Sequence, residues 1–179
     1  PSAPTAQAAP APAHRRLMFW VALLYFSEGL PLGVFYDLFP VNLRQAGVGP
    51  AEIGLLSLLG LAWTVKFLWA PLVDAWRGHR IWIAGANAGM AAVLAALAAQ
   101  PDALGQGATW PWVLLAAFTF LSATNDIATD GYTIELLRKD QFGVANGLRI
   151  GFYRVGMLAA GGLLVVAGWA GTTKPRPPC

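Results

Sequence analysis

Residues 81–99 have the sequence IWIAGANAGMAAVLAALAA, an apolar stretch that contains no charged side chain. A helix rises about 1.5 Å per residue, so a helix of this length nearly crosses the ~30 Å hydrocarbon core of a bilayer. In lipid the backbone must satisfy its hydrogen bonds within the segment, which favours a helix over an isolated strand. The stretch therefore predicts a transmembrane helix.

Four other apolar runs in the chain approach the same length, and polar or Gly- and Pro-containing links separate them. The sequence therefore predicts an all-α membrane protein with about five transmembrane helices. The predicted helices are residues 17–39, 53–70, 81–99, 110–132 and 143–170.

The composition of the chain agrees with this class. Of its 179 residues, 56% are hydrophobic and only 12% are charged. The net charge is +3, but the basic residues are scattered, which argues against a nucleic-acid-binding stripe. One cysteine, Cys179, and two isolated histidines, His14 and His79, offer no metal-ligand spacing. Neither a metal nor another cofactor is expected, and nucleic acid is not an expected partner.

The two ends of the chain differ from the bundle predicted for residues 15–170. Residues 1–14 are rich in Pro and Ala, a composition that predicts a disordered tail. Residues 171–179 are predicted to be irregular, as a truncated or non-native end. A signal peptide is the alternative for the first apolar run, but the run is too long and has no cleavage site. Because no sixth span follows, we expect a fragment of a longer protein.

Basic residues in the links predict the orientation of the helices. They precede the first helix, or lie between the second and third or between the fourth and fifth helices, all on one side. The opposite links carry Arg44 alone, so the positive-inside rule predicts a cytoplasmic N-terminus. The residues on the basic side are Arg15, Arg16, Arg77, Arg80, Arg138 and Lys139.

Glu28 is the first candidate functional residue, because a charge costs at least ~2.5 to 3.5 kcal/mol at the bilayer centre. It lies roughly 16 Å into the first helix, beside Gly29, Pro31 and Gly33, which predict a kink. A proton carrier or a substrate contact is one interpretation of Glu28. A structural ion pair is the other.

Residues 122–132, with the sequence SATNDIATDGY, are the most informative for function. Asp126 and Asp130 are four residues apart, so they share one helix face, which Asn125 extends. Two carboxylates this close favour holding a proton, as proton exchange near neutral pH requires. We therefore predict Glu28, Asp126 and Asp130 as proton-relay candidates and Asn125 as a candidate for contact with substrate.

Three cations can face these acids. An antiparallel fifth helix brings Asp130 level with Arg149 and Asp126 level with Arg154. A structural clamp between helices explains this register as well as a transport site does. Lys66 lies near the cytoplasmic end of the second helix, where it either extends to the interface or contacts an anionic substrate.

Residues 70–80, with the sequence APLVDAWRGHR, resemble the signature loop of the major facilitator superfamily. Asp74, Arg77 and Arg80 are its candidate cytoplasmic gate residues. Together with four blocks elsewhere, the sequence resembles the family of AmpG-type muropeptide permeases and acetyl-CoA transporters. The blocks are FSEGLPL at 26–32, KFLWAPL at 66–72, NDIATD at 125–130 and YRVGM at 153–157.

The resemblance implies a secondary transporter of the major facilitator type, with this chain as most of the N-terminal six-helix half. It implies proton symport of a small, anionic substrate such as a muropeptide or an acetyl-CoA-like anion, across a bacterial inner membrane. The expected partners are the substrate, protons, the lipid bilayer and the missing C-terminal half. A non-transporting scaffold or truncated remnant is the alternative. A membrane enzyme is disfavoured because the sequence has no metal triad, nucleophile elbow or phosphate loop.

Overall fold

The computed structural model describes residues 12–76, 78–100 and 108–172, and only the backbone of residues 12, 13 and 164–172. The predictions made for residues 1–11, for Arg77 and for residues 173–179 lie outside the described residues. Within the described ranges, every regular element is helical and four segments are long and apolar enough to cross a membrane. The prediction of an all-α membrane protein is confirmed.

Eight α-helices follow one another in the described part of the chain. They are α1 (Pro12–Gly33), α2 (Phe39–Gln45), α3 (Pro50–Leu59), α4 (Leu61–Val65), α5 (Ala70–Ala75), α6 (His79–Ala99), α7 (Trp110–Leu136) and α8 (Phe142–Thr172). A π-helical segment, Val34–Leu38, joins α1 to α2, and 3-10 turns at Lys66–Leu68 and Lys139–Gln141 precede α5 and α8.

The four candidate membrane spans are continuous stretches that combine several of these elements. They are His14–Gln45, Pro50–Leu68, His79–Ala99 and Trp110–Leu136. The fifth predicted helix, residues 143–170, falls within α8, which is 31 residues long. That α8 crosses the membrane stays a prediction.

The first span departs from regular α-helical geometry just after its Gly and Pro cluster. Pro31 lies inside α1 and has no backbone N–H to donate to the preceding turn, which weakens the helix there. The π-helical turn at Val34–Leu38 follows, and the span then continues to Gln45, beyond the predicted end at residue 39. Gly47, with a positive φ of 83°, lies in the turn after α2.

Helix α7 lies at the centre of the bundle, where it contacts α1, α3, α4, α5 and α6. Most of its inward face is polar. Its buried polar side chains are Thr119, Ser122, Thr124, Asn125, Asp126, Thr129 and Thr133. Each needs a hydrogen-bond partner or a hydrated cavity, because lipid provides neither.

Helix α1 packs along α8 at a crossing that only glycine permits. A Cβ atom on Gly29 would lie 3.2 Å from the Cα of Gly156 and would overlap the carbonyl oxygen of Tyr153. Small residues at such a crossing let two backbones approach closely, which is how helices gain contact in lipid. The crossing holds Glu28, the neighbour of Gly29, beside the middle of α8.

Candidate functional site

Three carboxylates from two helices converge at the centre of the bundle. One oxygen each of Glu28 on α1 and of Asp126 and Asp130 on α7 lie within 4.8 Å of one another. Glu28 is only 4% exposed and Asp126 only 8%. The structure therefore brings the three predicted proton-relay candidates together in one buried cluster.

Two cations and one hydroxyl group contact this cluster. Lys66 Nζ forms an ion pair with Asp126 Oδ2. Arg149 Nη2 lies 2.9 Å from Asp130 Oδ2, and the hydroxyl group of Tyr25 donates a hydrogen bond of 3.1 Å to Asp130 Oδ1. Three carboxylates and two cations leave one negative charge without a cationic partner inside the cluster.

Glu28 is the carboxylate without a cationic partner. Its Oε2 atom is buried and has no hydrogen-bond partner among the described residues. A buried, ionised carboxylate without a partner is costly, so the group must either hold a proton or bind a cation. Carboxylate oxygens grouped in this way also suit a bound cation, which the sequence argument missed because it considered only His and Cys spacing.

One of the two ion pairs predicted between α7 and α8 is different in the structure. Arg149 contacts Asp130 as the antiparallel register predicts, but Asp126 contacts Lys66 instead of Arg154. Lys66 thus points to a buried acid and not to the membrane interface. The 3-10 turn at Lys66–Leu68 interrupts the second span there, and a carboxylate on α7 offers a partner that lipid does not.

Asn125 holds two helices together through an amide pair. Its Oδ1 atom accepts a hydrogen bond of 3.0 Å from Asn87 Nδ2 on α6, and its side chain is 2% exposed. Asn87 was not among the site residues predicted from the sequence. The signal was present, because Asn87 is the only amide in the otherwise apolar run of residues 81–99.

Of the predicted gate residues, Asp74 and Arg80 lie near the C-terminal end of α7, which is the cytoplasmic end in the predicted orientation. Arg80 Nε donates a hydrogen bond of 2.8 Å to the hydroxyl group of Tyr132, and its guanidinium lies 5.2 Å from the centre of that ring. Asp74 Oδ1 lies 3.6 Å from His79 Nε2, and His79 Nδ1 lies 3.3 Å from Glu135 Oε1. His79, which no motif singled out, is buried between α5 and α7.

A cavity of 430 Å³ opens beside the carboxylate cluster, and we call it the large cavity. Glu28, Asp126, Arg149 and Arg154 supply its charged wall. Three aromatic side chains, which the sequence argument did not single out, supply much of the rest; they are Tyr36, Trp63 and Tyr153. A cavity with this lining can hold a solute that has both an anionic and an apolar or ring-shaped part.

Arg154 is the exposed cation of the large cavity. No carboxylate of the described residues lies within 4.0 Å of it, whereas Arg149 and Lys66 each contact an acid. A guanidinium in a spanning helix normally faces a partner or a hydrated path. The position of Arg154 suits contact with an anion that enters the cavity.

Comparisons with known proteins relate the chain to transport proteins. The family described as acetyl-coenzyme A transporter 1 matches residues 17–91. The anhydromuropeptide permease of Escherichia coli K12 is 29% identical over 146 residues, which cover 79% of this chain and 29% of the permease. The chain is therefore similar to AmpG-type permeases and to the acetyl-CoA transporter family.

Two other relatives match a similar share of the chain. An uncharacterised protein of Haemophilus influenzae is 32% identical over 153 residues, which cover 83% of this chain and 36% of that protein. A protein of Rickettsia felis, whose name assigns it to the transporters as AmpG 4, is 29% identical over 152 residues, which cover 80% of this chain and 36% of that protein. No solved structure matches the chain.

The AmpG-type relatives are longer than this chain. The chain spans about a third of the length of the curated relatives it matches. The matched family region, residues 17–91, contains Glu28, Lys66, Asp74 and Arg80. The names of the family and of its named members are those of transport proteins and not of enzymes, as the sequence predicted.

Proposed function

We propose that this chain is part of a proton-coupled secondary transporter of the major facilitator type. The transporter would move a small anionic solute, such as a muropeptide or an acetyl-CoA-like anion, by symport with protons. The names of the relatives support the transport class. The proposal of proton coupling rests on one observation. In a cluster of three acids and two cations, the buried Glu28 carboxylate has no cationic partner among the described residues.

The charge of the cluster explains why a proton is the coupling ion in this proposal. Asp126 and Asp130 already have cationic partners, so each can stay ionised. Glu28 has none among the described residues, and a proton makes it neutral without moving another charge. A carboxylate that gains and loses a proton as its cavity opens to either side of the membrane can couple the proton gradient to solute movement.

The solute proposal rests on the large cavity. Arg154 would bind an anionic group of the solute, and Arg149 would do so when it is released from Asp130. Lys66, paired with Asp126, would orient the cluster and not touch the solute. Anhydromuropeptide and acetyl-CoA both carry anionic groups, so the cavity is compatible with either.

The orientation in this proposal is an N-terminus in the cytoplasm of a bacterial inner membrane. His14 and Gln141 are joined by a hydrogen bond of 2.9 Å, which sets the start of α1 beside the turn between α7 and α8. Arg80 contacts Tyr132 near the same end of α7. The start of α1, Arg80 and the turn that carries Arg138 and Lys139 therefore share one end of the bundle, the arrangement expected of a cytoplasmic face.

We also propose that a second half completes the solute path. The relatives extend well beyond the stretch they share with this chain, and Arg154 and Ile150 are exposed on one side of the large cavity. A second bundle packed on that side would enclose the solute and allow alternating access.

The test is uptake by the full-length protein in proteoliposomes, with anhydromuropeptide and acetyl-CoA as solutes. We expect an inward proton gradient to drive accumulation of one of them. Glu28→Gln should remove the response to the gradient, because a glutamine cannot gain or lose a proton. Glu52→Gln, which neutralises an exposed carboxylate at the start of α3, is the matched control and should leave uptake unchanged.

Three results would contradict the proposal. If Glu28→Gln accumulates solute as the unmodified protein does, Glu28 is not the coupling site. If a sodium gradient drives accumulation and a proton gradient does not, the cluster binds a metal cation instead. If neither solute enters under any gradient, the alternative of a non-transporting scaffold or remnant is favoured.

A further inference from the structure

A second cavity lies on the other side of the Asp130–Arg149 ion pair. It measures 270 Å³, and we call it the small cavity. Tyr25, Thr133 and Asn146 line it together with the ion pair. It extends toward Phe142 at the basic end of the bundle, whereas the large cavity extends toward Tyr36 and the opposite end.

The three clustered carboxylates are divided between these two cavities. Glu28 and Asp126 line the large cavity, and Asp130 lines the small one. Arg149 lines both. The acids are close enough to exchange a proton through one water, yet they face opposite sides of the membrane in the proposed orientation.

The contacts of Asp130 lie where the linings of the two cavities meet, at Arg149. Its two oxygens are engaged by different partners, Oδ1 by the Tyr25 hydroxyl at 3.1 Å and Oδ2 by Arg149 at 2.9 Å. The guanidinium of Arg149 also lies 5.2 Å from the centre of the Tyr25 ring. Moving Arg149 away from Asp130 would therefore join the two cavities.

We propose that Asp130 is the cytoplasmic release site for the proton and that Arg149 is the movable barrier between the two cavities. This inference rests on the proposed proton coupling. Tyr25 is a positioning residue in it, because its hydroxyl group orients the carboxylate of Asp130 toward the small cavity.

The proton step conserves charge within the cluster. The O–H bond of the Glu28 carboxyl group breaks, and the proton passes to an oxygen of Asp130 directly or through one water. Arg149 leaves Asp130, which becomes neutral, and pairs with Glu28, which becomes anionic. Asp130 then gives the proton to water in the small cavity and recovers Arg149. Glu28 is ready for the next proton from the large cavity.

The first test compares two transport modes of the full-length protein in proteoliposomes. Asp130→Asn should reduce net uptake under an inward proton gradient by about 100-fold, a typical contribution of a positioned proton-transfer group. It should keep the exchange of internal for external solute, which requires no release of protons. Asp140→Asn, in the exposed turn before α8, is the control and should leave both modes unchanged.

Loss of exchange along with net uptake would overturn the inference, since Asp130 would then be needed for folding or solute binding. Unchanged net uptake would overturn it as well. Tyr25→Phe keeps the ring and removes only the hydroxyl group, so it guards against misfolding. We expect it to slow net uptake about tenfold, the rate equivalent of one hydrogen bond to a charged group, with exchange retained.

The second test detects the barrier without measuring transport. Cys179 is the only cysteine of this sequence, so replacing it with serine, together with every cysteine in the rest of the full-length protein, provides a background for single cysteines. Asn146→Cys lies in the small cavity, and Ile150→Cys lies one helical turn away in the large cavity. A membrane-impermeant thiol reagent should modify Asn146→Cys from the cytoplasmic side alone and Ile150→Cys from the opposite side.

Adding Arg149→Gln should make Asn146→Cys reactive from the outer side too. Modification of Asn146→Cys from the outer side while Arg149 is present would contradict the proposed barrier. The two tests fail separately from the proposed function. If the unmodified protein ignores a proton gradient, proton coupling is wrong, whereas the thiol pattern still decides whether Arg149 separates two cavities.

Discussion

Helix α7 and the second span, Pro50–Leu68, are both long enough to cross a membrane, yet they occupy opposite environments. In the most apolar part of α7, 61% of the residues are buried within the bundle, against 6% in the second span. The central helix is the more polar of the two, with mean hydropathy of 1.2 against 1.5. In lipid, apolar side chains gain nothing from leaving the surface, so the helix that carries polar groups takes the centre.

Removing the acid that α7 presents to Lys66 should have the largest effect on stability. Asp126→Ala leaves the Lys66 ammonium in a spanning segment without its partner, and breaking a pair that lies mostly out of water in this way costs about 3 kcal/mol. Denaturant unfolding in detergent measures the change. Glu52→Ala, an exposed carboxylate of the second span, is the matched control and should change the free energy of unfolding by less than about 0.5 kcal/mol.

Similar free energies of unfolding for Asp126→Ala and Glu52→Ala would contradict a buried α7 and an exposed second span. The double variant Lys66→Met with Asp126→Leu tests whether the unpaired charge causes the loss of stability. Because this variant removes both charges together, it should recover much of the lost stability.

A phenylalanine pair tests packing without any charge. Phe118 on α7 is 1% exposed and packs edge-on against Phe39, with ring centres 5.2 Å apart. Phe67 in the second span is 66% exposed. Phe118→Ala should destabilise the protein by about 3 kcal/mol through the cavity it leaves, and Phe67→Ala by less than about 0.5 kcal/mol.

The same unfolding measurement checks the phenylalanine pair. Equal losses for both variants would mean that the second span is as tightly packed in detergent as α7. The exposed position of Phe67 would then be wrong.

A glycine pair tests backbone contact, with a smaller expected effect. At Gly156 a Cβ would overlap the carbonyl oxygen of Phe26 on α1, so Gly156→Ala must separate two helices and should cost about 2 kcal/mol. At Gly54 in the second span a Cβ meets nothing within 4 Å. Gly54→Ala should therefore stabilise by about 0.5 kcal/mol through helix propensity.

The two glycine variants are expected to move the unfolding midpoint in opposite directions. A shift of the same sign in both would contradict the close crossing of α1 and α8. Gly151→Ala, also on α8 but with nothing within 4 Å of its Cβ, is a second control within the same helix.

The sequence predicted the fold well because each part of that prediction depends on local information. A run of about 20 apolar residues is a membrane span whatever its neighbours are. Glu28, Asp126 and Asp130 could be singled out for the same reason, since a carboxylate in such a run is costly in any arrangement. The structure brings these three together, as one polar site in lipid requires.

The partners of the acids could not be predicted in the same way, because they depend on how helices distant in sequence are placed. Asp126 lies 60 residues from Lys66, and no periodicity within either helix relates them. Arg149 and Asp130 are neighbours in an antiparallel pair, so a register argument reached their contact. Tyr25 was missed although it lies one turn before Glu28, since a tyrosine in an apolar run is ordinary in membrane helices.

The smallest expected effect concerns the amide pair between α6 and α7. Asn87→Ala removes the hydrogen bond of 3.0 Å to Asn125, and such bonds between membrane helices contribute about 0.6 kcal/mol on average. Ser57 is an exposed polar residue of the second span, and Ser57→Ala should leave the free energy of unfolding unchanged. A double-mutant cycle of Asn87→Ala and Asn125→Ala isolates the pair, with an expected coupling of about 0.6 kcal/mol. A coupling of zero would mean that the buried amide of Asn125 finds another partner, so the polar face of α7, and not its contact with α6, would keep this helix at the centre.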